Sequence, residues 1–95
     1  MENPRAKVQI RFLAFFGGRD NWEVNLDITR GETLTGVFGR LEQSIYEEME
    51  EKLFRPQYPR YAIAINGKIV SQDQMKETRL YGGEKITVMA RLVGG

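Results

Sequence analysis

The chain has 95 residues, enough for one domain with a modest core; split in two, each half would fall below the size at which a single core is dependable. Hydrophobic residues make up 41% and charged residues 28%, an ordinary globular composition that excludes a disordered chain. Lys and Arg number 14 against 13 Asp and Glu, a formal charge of +1 without the basic excess of a dedicated nucleic-acid binder.

The sequence contains no Cys and no His. Disulfides, thiolate metal sites, cysteine nucleophiles and a histidine general base are therefore excluded, and so are the commonest zinc ligands. No bound metal or cofactor is expected. No apolar run approaches the about 18 residues of a membrane span. Met1-Glu2-Asn3-Pro4-Arg5 lacks the charged-then-apolar layout of a signal peptide. The expectation is a soluble cytoplasmic protein, with no membrane and no nucleic acid among its partners.

From Lys7 the chain alternates. Val8, Ile10, Phe12 and Ala14 share one parity, and Lys7, Gln9 and Arg11 the other, the period of a strand with one buried face. Phe16 to Asn21 reads as a turn, because paired glycines and Asp-Asn tolerate positive φ. Trp22, Val24, Leu26 and Ile28 then alternate against Glu23, Asn25 and Asp27, which completes an antiparallel hairpin. Thr33 is placed to cap a helix whose apolar stripe is Leu34, Val37, Phe38, Leu41 and Ile45. Gly36 and Gly39 weaken that helix and are expected where it approaches the sheet closely. The spacing continues it through Met49, Leu53 and Phe54, and Pro56 and Pro59 end it. Tyr61 to Ile65 and Lys68 to Val70 form a second hairpin across Asn66-Gly67, a type I′ turn signal. Ser71 to Arg79 reads as irregular. Leu80 to Glu84 is a turn before the last strand, Lys85 to Arg91, in which Ile86, Val88 and Ala90 share one parity.

One amphipathic helix must hide its stripe against a sheet. The pattern therefore predicts an α+β domain over residues 1–95: a mixed sheet packed on one main helix, the first strand central and the last parallel beside it. The helix is the crossover between the hairpins, preferentially right-handed.

The sequence closes on Gly94-Gly95. Glycine fills about 7% of positions on average, so an adjacent pair at a given spot is roughly a 0.5% coincidence. A frayed end after a strand is the plain explanation. Two residues without Cβ also make the thinnest and most pliable segment, suited to thread a partner's channel and present an α-carboxylate. Activation with ATP would make that carboxylate an acyl-adenylate open to sulfide, thiolate or amine. The chain would then be a substrate, not an enzyme.

The strand and helix order, Ala64-Ile65-Asn66-Gly67-Lys68-Ile69-Val70, Leu80-Tyr81-Gly82-Gly83-Glu84-Lys85-Ile86-Thr87-Val88 and the Gly-Gly pair occur together. In that combination the chain resembles the MoaD/ThiS family of ubiquitin-like sulfur carriers, over Lys7 to Gly95, with the greatest likeness to the small subunits of molybdopterin synthase. The resemblance implies a β-grasp fold. It also implies adenylation of Gly95 by a ubiquitin-activating-type enzyme (MoeB/ThiF-like) using ATP, and conversion to a thiocarboxylate. The large subunit of molybdopterin synthase (MoaE-like) would receive the tail, 92–95, and pass the sulfur to the pterin. Gly94 would be the hinge, and Leu92 and Val93 the grip of the tail in the channel. Thiamine synthesis, tRNA thiolation and isopeptide modification of proteins are the alternatives within reach of the same activated carboxyl; a non-covalent adaptor is a further one.

The stretch 44–60 is longer than a compact carrier needs and carries Glu47, Glu48, Glu50 and Glu51. It reads as a solvated helical face, with a partner-specific surface as the alternative. Leu13 and Met89 lie on the outward parity of the first and last strands, with Ile69 as a further member and Phe15 unplaced. An apolar patch framed by Arg11, Lys85 and Arg91 suits an interface core with a charged rim, and the family uses this face to meet both partners. Three other candidates are weaker. Phe16-Gly17-Gly18-Arg19 lacks a P-loop lysine and reads as a turn. Asp20, Glu23 and Asp27 lack EF-hand spacing. Arg55, Tyr58, Arg60 and Tyr61 suggest stacking with RNA bases but read better as a loop buttress.

Overall fold

The structure, a computed structural model, describes residues 5–55 and 60–90. Strand β1 (Arg5–Phe16) buries Val8, Ile10 and Phe12, with Ala14 half-buried, as its alternation predicts, and it runs on through Phe16, which reads as the start of the turn but is a buried strand residue. Gly17 and Gly18 take φ of 59° and 76° and close a two-residue turn into β2 (Arg19–Thr29). The strand thus resumes at Arg19, earlier than the Asp-Asn signal suggests. One extra β1 residue is accommodated between the pairs Phe12–Trp22 and Phe15–Asp20, a β-bulge. Asn21 opposite it has φ of 50°.

Next come β3 (Glu32–Thr33), α1 (Leu34–Phe38), α2 (Gln43–Met49) and a π-helical segment, Glu50–Phe54. The single helix expected from the stripe is therefore broken. Thr33 caps α1 as predicted, accepting the Gly36 amide at 3.1 Å. The break falls at Gly39, the C-cap of α1, and Glu42 is the N-cap of α2. Gly36 and Gly39 are exposed and do not approach the main sheet. A Cβ at Gly36 would instead lie 3.0 Å from the Thr33 hydroxyl.

Strands β4 (Tyr61–Ile65) and β5 (Lys68–Val70) flank Asn66 and Gly67, whose φ values of 50° and 84° make the predicted turn. The segment read as irregular holds α3 (Gln72–Met75), and β6 (Arg79–Leu80) begins at its last residue and takes in Leu80, which reads as the first turn residue but is a buried strand residue. A capping box between Ser71 and Gln74 starts α3, and Met75 anchors it in the core. Strand β7 (Lys85–Ala90) completes a five-stranded sheet in the order β2-β1-β7-β4-β5, with β3 and β6 forming a separate pair. β7 runs parallel to β1 and antiparallel to β4. This is the β-grasp arrangement, an α+β fold in which the helical segments cover one sheet face. Among the described residues, no helix is long and apolar enough to cross a membrane.

The turn before β7 is tight. Gly82 has φ of 125°, and a Cβ there would sit 2.7 Å from the Ala6 Cβ. Gly82→Ala is expected to destabilise the fold by about 1–3 kcal/mol through backbone strain and this clash. Urea unfolding checks it; an unchanged midpoint would show that the turn yields freely.

Glu32 ties β3 to the helix break. Its carboxylate accepts the Arg40 Nε at 2.7 Å, the Arg40 Nη2 at 2.8 Å and the Thr29 amide at 3.0 Å. The Arg40 hydrogen bonds hold this carboxyl below its ordinary range, against partial burial and with help from the Thr29 amide. A depressed folded value means that the stabilisation is complete above the unfolded carboxylate range and is lost as pH falls through the lowered one. Solvent screening at the half-exposed Arg40 keeps it small. Glu32→Gln should lower stability near pH 7 and leave it almost unchanged near pH 2, measured by urea unfolding at both.

Candidate functional site: the open sheet face

The register settles which outward residues meet. Leu13 stands opposite Met89, and Met89 opposite Ala62, so one row crosses β1, β7 and β4. The next row runs Glu23, Arg11, Thr87, Ala64 and Ile69 across all five strands. Leu13 is 48% exposed and Ile69 64%, while Met89 is half-buried between its neighbours. Ala62 and Ala64 are small and buried, yet have the opposite parity to the core residue Ile63. They lie between Leu13 and Met89 on one side and Ile69 on the other.

Phe15 joins this face at 58% exposure. Phe16 beside it is fully buried, so β1 keeps its alternation through the bulge. In β2 the positive φ at Asn21 resets the alternation, and Arg19 comes within 5.3 Å of the Trp22 ring on the helix side. Shared parity with Leu13 is the sequence signal for Phe15. Charged groups border the patch: Arg11 pairs with Glu23 at 3.5 Å, and Lys85 lies opposite Gln9. Arg91, Leu92, Val93, Gly94 and Gly95 lie outside the described residues.

Position is the useful property of the patch. Met89 is one residue from the end of β7, and residues 91–95 follow directly. Five residues span at most about 18 Å. A partner seated on Leu13 and Met89 therefore has the Gly95 carboxyl within that reach of Ala90.

The other sequence candidates resolve differently. At the Gly17-Gly18 turn the Gly17 amide donates to Glu48 Oε1 at 3.2 Å, so a carboxylate of the chain takes the place a phosphate would need. Among the described residues, no group of three or more acidic side chains is gathered as a metal site. Tyr61 turns inward, 5.3 Å from the Phe16 ring in an edge contact, with the Lys52 ammonium 5.3 Å from its own ring. Tyr58 lies outside the described residues. The acidic stretch is less uniformly solvated than its composition suggests. Glu48 also pairs with Lys52 at 3.0 Å and Glu50 pairs with Arg55, whereas Glu47 and Glu51 are exposed. A cleft of about 470 Å³ there is lined by Thr35, Tyr46, Glu50, Phe54, Arg55 and Lys76.

No protein-family model matches the chain, and no curated protein sequence does. Among solved structures, the chain is similar to the solution structure of the Haloferax volcanii HVO 2177 protein, with a TM-score of 0.65 and 19% identity over 100% of this chain and 92% of the other. At that identity the likeness is one of fold, and a β-grasp domain is what both chains share.

Proposed function

We propose that this chain is a sulfur carrier whose Gly95 carboxyl is activated by a ubiquitin-activating-type adenylating enzyme and delivered to a second partner as a thiocarboxylate. The observation that carries the reading is the placement of the Leu13–Met89 patch at the end of β7 from which the glycine pair is reached. The β-grasp fold and the lack of Cys and His agree with a substrate role, in which the partners supply nucleophiles and bases.

The chemistry balances without a group from this chain beyond its carboxyl. The Gly95 carboxylate oxygen attacks the α-phosphorus of ATP, and pyrophosphate leaves. A sulfur nucleophile held by the activating system then attacks the acyl carbon, and AMP leaves. Where that nucleophile is a persulfide the product is an acyl disulfide, and a thiol of the activating system attacks the donor sulfur, releasing the thiocarboxylate and leaving a disulfide on the activating system. Following the family resemblance, the acceptor is the pterin precursor of the molybdenum or tungsten cofactor, bound by the large subunit of molybdopterin synthase. If a lysine amine attacked the adenylate instead, the product would be an isopeptide. Ladders of conjugates in cell extracts would then replace a soluble thiocarboxylate.

The docking half of the reading has its own test. Met89→Asp places a charge between Leu13 and Ala62. It should weaken association with the adenylating enzyme by about tenfold or more, as loss of a central interface anchor does. Titration calorimetry measures this, with urea unfolding as the control for the fold. Unchanged affinity would remove the patch from the interface.

A further inference from the structure

The two ends of the sheet are unlike. β5 is a three-residue edge that carries Lys68. Short strands and lysines are the usual ways to blunt an edge. β2 is an edge of eleven residues, Arg19–Thr29, with neither lysine nor proline in it. Among the described residues no strand pairs with its outer side. Alternate backbone N–H and C=O groups along that side are open to a further strand, except at the Thr29 end, where Glu32 accepts the amide.

A groove adjoins this edge. It holds about 230 Å³ and is lined by Trp22, Val24, Leu41 and Ile45 together with Arg19 and Glu42. It exists because the helix breaks at Gly39–Glu42, beside β2, instead of continuing across the sheet. Trp22, Val24 and Leu26 are consequently only half-buried, whereas Val8, Ile10 and Phe12 on β1 are buried.

The other face of β2 is patterned by charge. Glu23 stands opposite Arg11, and Asp27 opposite Lys7. The sign thus alternates from β1 to β2, and a strand added outside β2 would continue it with Lys or Arg. A second copy of this chain does not meet that requirement. An antiparallel β2–β2 pairing centred on Asn25 sets Glu23 against Asp27, and like charges directly opposite are destabilising.

We propose that the outer edge of β2 and the adjoining groove are a docking site for an extended peptide segment of a partner protein, in which aliphatic residues alternate with Lys or Arg. The segment adds as a sixth strand. Its aliphatic side chains enter the groove beside Trp22 and Val24, and its basic ones lie next to Glu23 and Asp27. Main-chain hydrogen bonds and apolar burial supply the affinity; the charges select the sequence. The site is on the opposite side of β1 from the Met89 strand, so it leaves Leu13 and Met89 uncovered and meets the open-face patch only at its Arg11–Glu23 border.

The probe is a synthetic peptide, acetyl-Lys-Ile-Lys-Val-Lys-Ile-Lys-amide, titrated into the full chain. Trp22 is the single tryptophan and lines the groove, so its emission reports binding directly. Saturation with a Kd below about 1 mM is expected. Backbone amide shifts should be confined to residues 19–29 and 41–45, and alternate β2 amides should exchange more slowly. The surface double variant Glu23→Lys, Asp27→Lys should bind this peptide about tenfold more weakly and a glutamate-for-lysine peptide more tightly. Lys then stands opposite Arg11 and Lys7, so its unfolding midpoint should fall modestly, and binding is compared under conditions in which both chains stay folded. Any of four results would overturn the proposal: no saturation by about 1 mM, shifts centred on Leu13 and Met89, equal binding of a peptide with proline at its centre, or self-association through β2.

Discussion

Phe12→Ala should destabilise the domain by about 3–5 kcal/mol. Phe12 is fully buried on β1, stacked on Trp22 with ring centroids 4.3 Å apart and tilted against Phe16 at 5.4 Å. It also sits where three strands meet, paired with Trp22 on β2 and with Val88 on β7. Its removal therefore leaves a cavity beneath both the hairpin and the parallel pair. A domain of this size has a total stability of about 5–14 kcal/mol, so about a fifth or more of it rests on this ring. Phe12→Leu, which keeps most of the volume, should cost much less. Urea unfolding measures both changes. Equal small losses would mean that the core re-packs around the gap, and that the β1 face is less closely filled than the fully buried side chains indicate.

Removal of Gly94-Gly95 should reduce ATP-dependent charging to background while the unfolding midpoint stays within error of the full chain. Among the described residues every buried core residue lies between Val8 and Val88. The two glycines contribute no side chain to bury, and a truncated chain ending at Val93 would present its carboxylate on a β-branched residue, which a channel shaped for glycine would exclude. Gly95→Ala should charge far more slowly than the parent for the same reason. Retained charging in the deletion would point to a reactive group elsewhere in the chain. A large loss of stability would mean that the tail packs on the domain and that the activity result reports unfolding.

The sheet is readable from the sequence because its signals are local. Val8, Ile10 and Phe12 alternate without exception, and Asn66-Gly67 admits few conformations other than the turn it makes. The interruption at Gly39–Glu42 is not readable. Leu41 inside the break is half-buried, so the three- and four-residue apolar spacing from Phe38 through Leu41 to Ile45 survives although the helical backbone hydrogen bonding does not. For α3 the Ser71 and Gln74 box is present in the sequence, but four polar-rich residues offer no stripe to read. The patch is legible as parity at Leu13 and Met89. Its two alanines are not, because only the pairing of β4 with β7 and β5 shows that Ala62 and Ala64 lie on the same face as Met89 and Ile69.

The groove beside β2 follows from that unreadable break, which is why nothing in the apolar pattern suggests it. Fold and open apolar face thus come from hydrophobic periodicity, whereas the proposed peptide-binding edge comes from where periodicity and backbone part company.

The most direct measurement is the intact mass of the protein purified from its native cells and again after incubation with ATP, the adenylating enzyme and a sulfur donor. The predicted result is a chain ending at Gly95 that first gains an adenylyl group and then differs from its parent by one sulfur in place of one oxygen. A native chain that continues beyond Gly95 and is never trimmed there, or one that takes up neither AMP nor sulfur, would contradict the sulfur-carrier assignment.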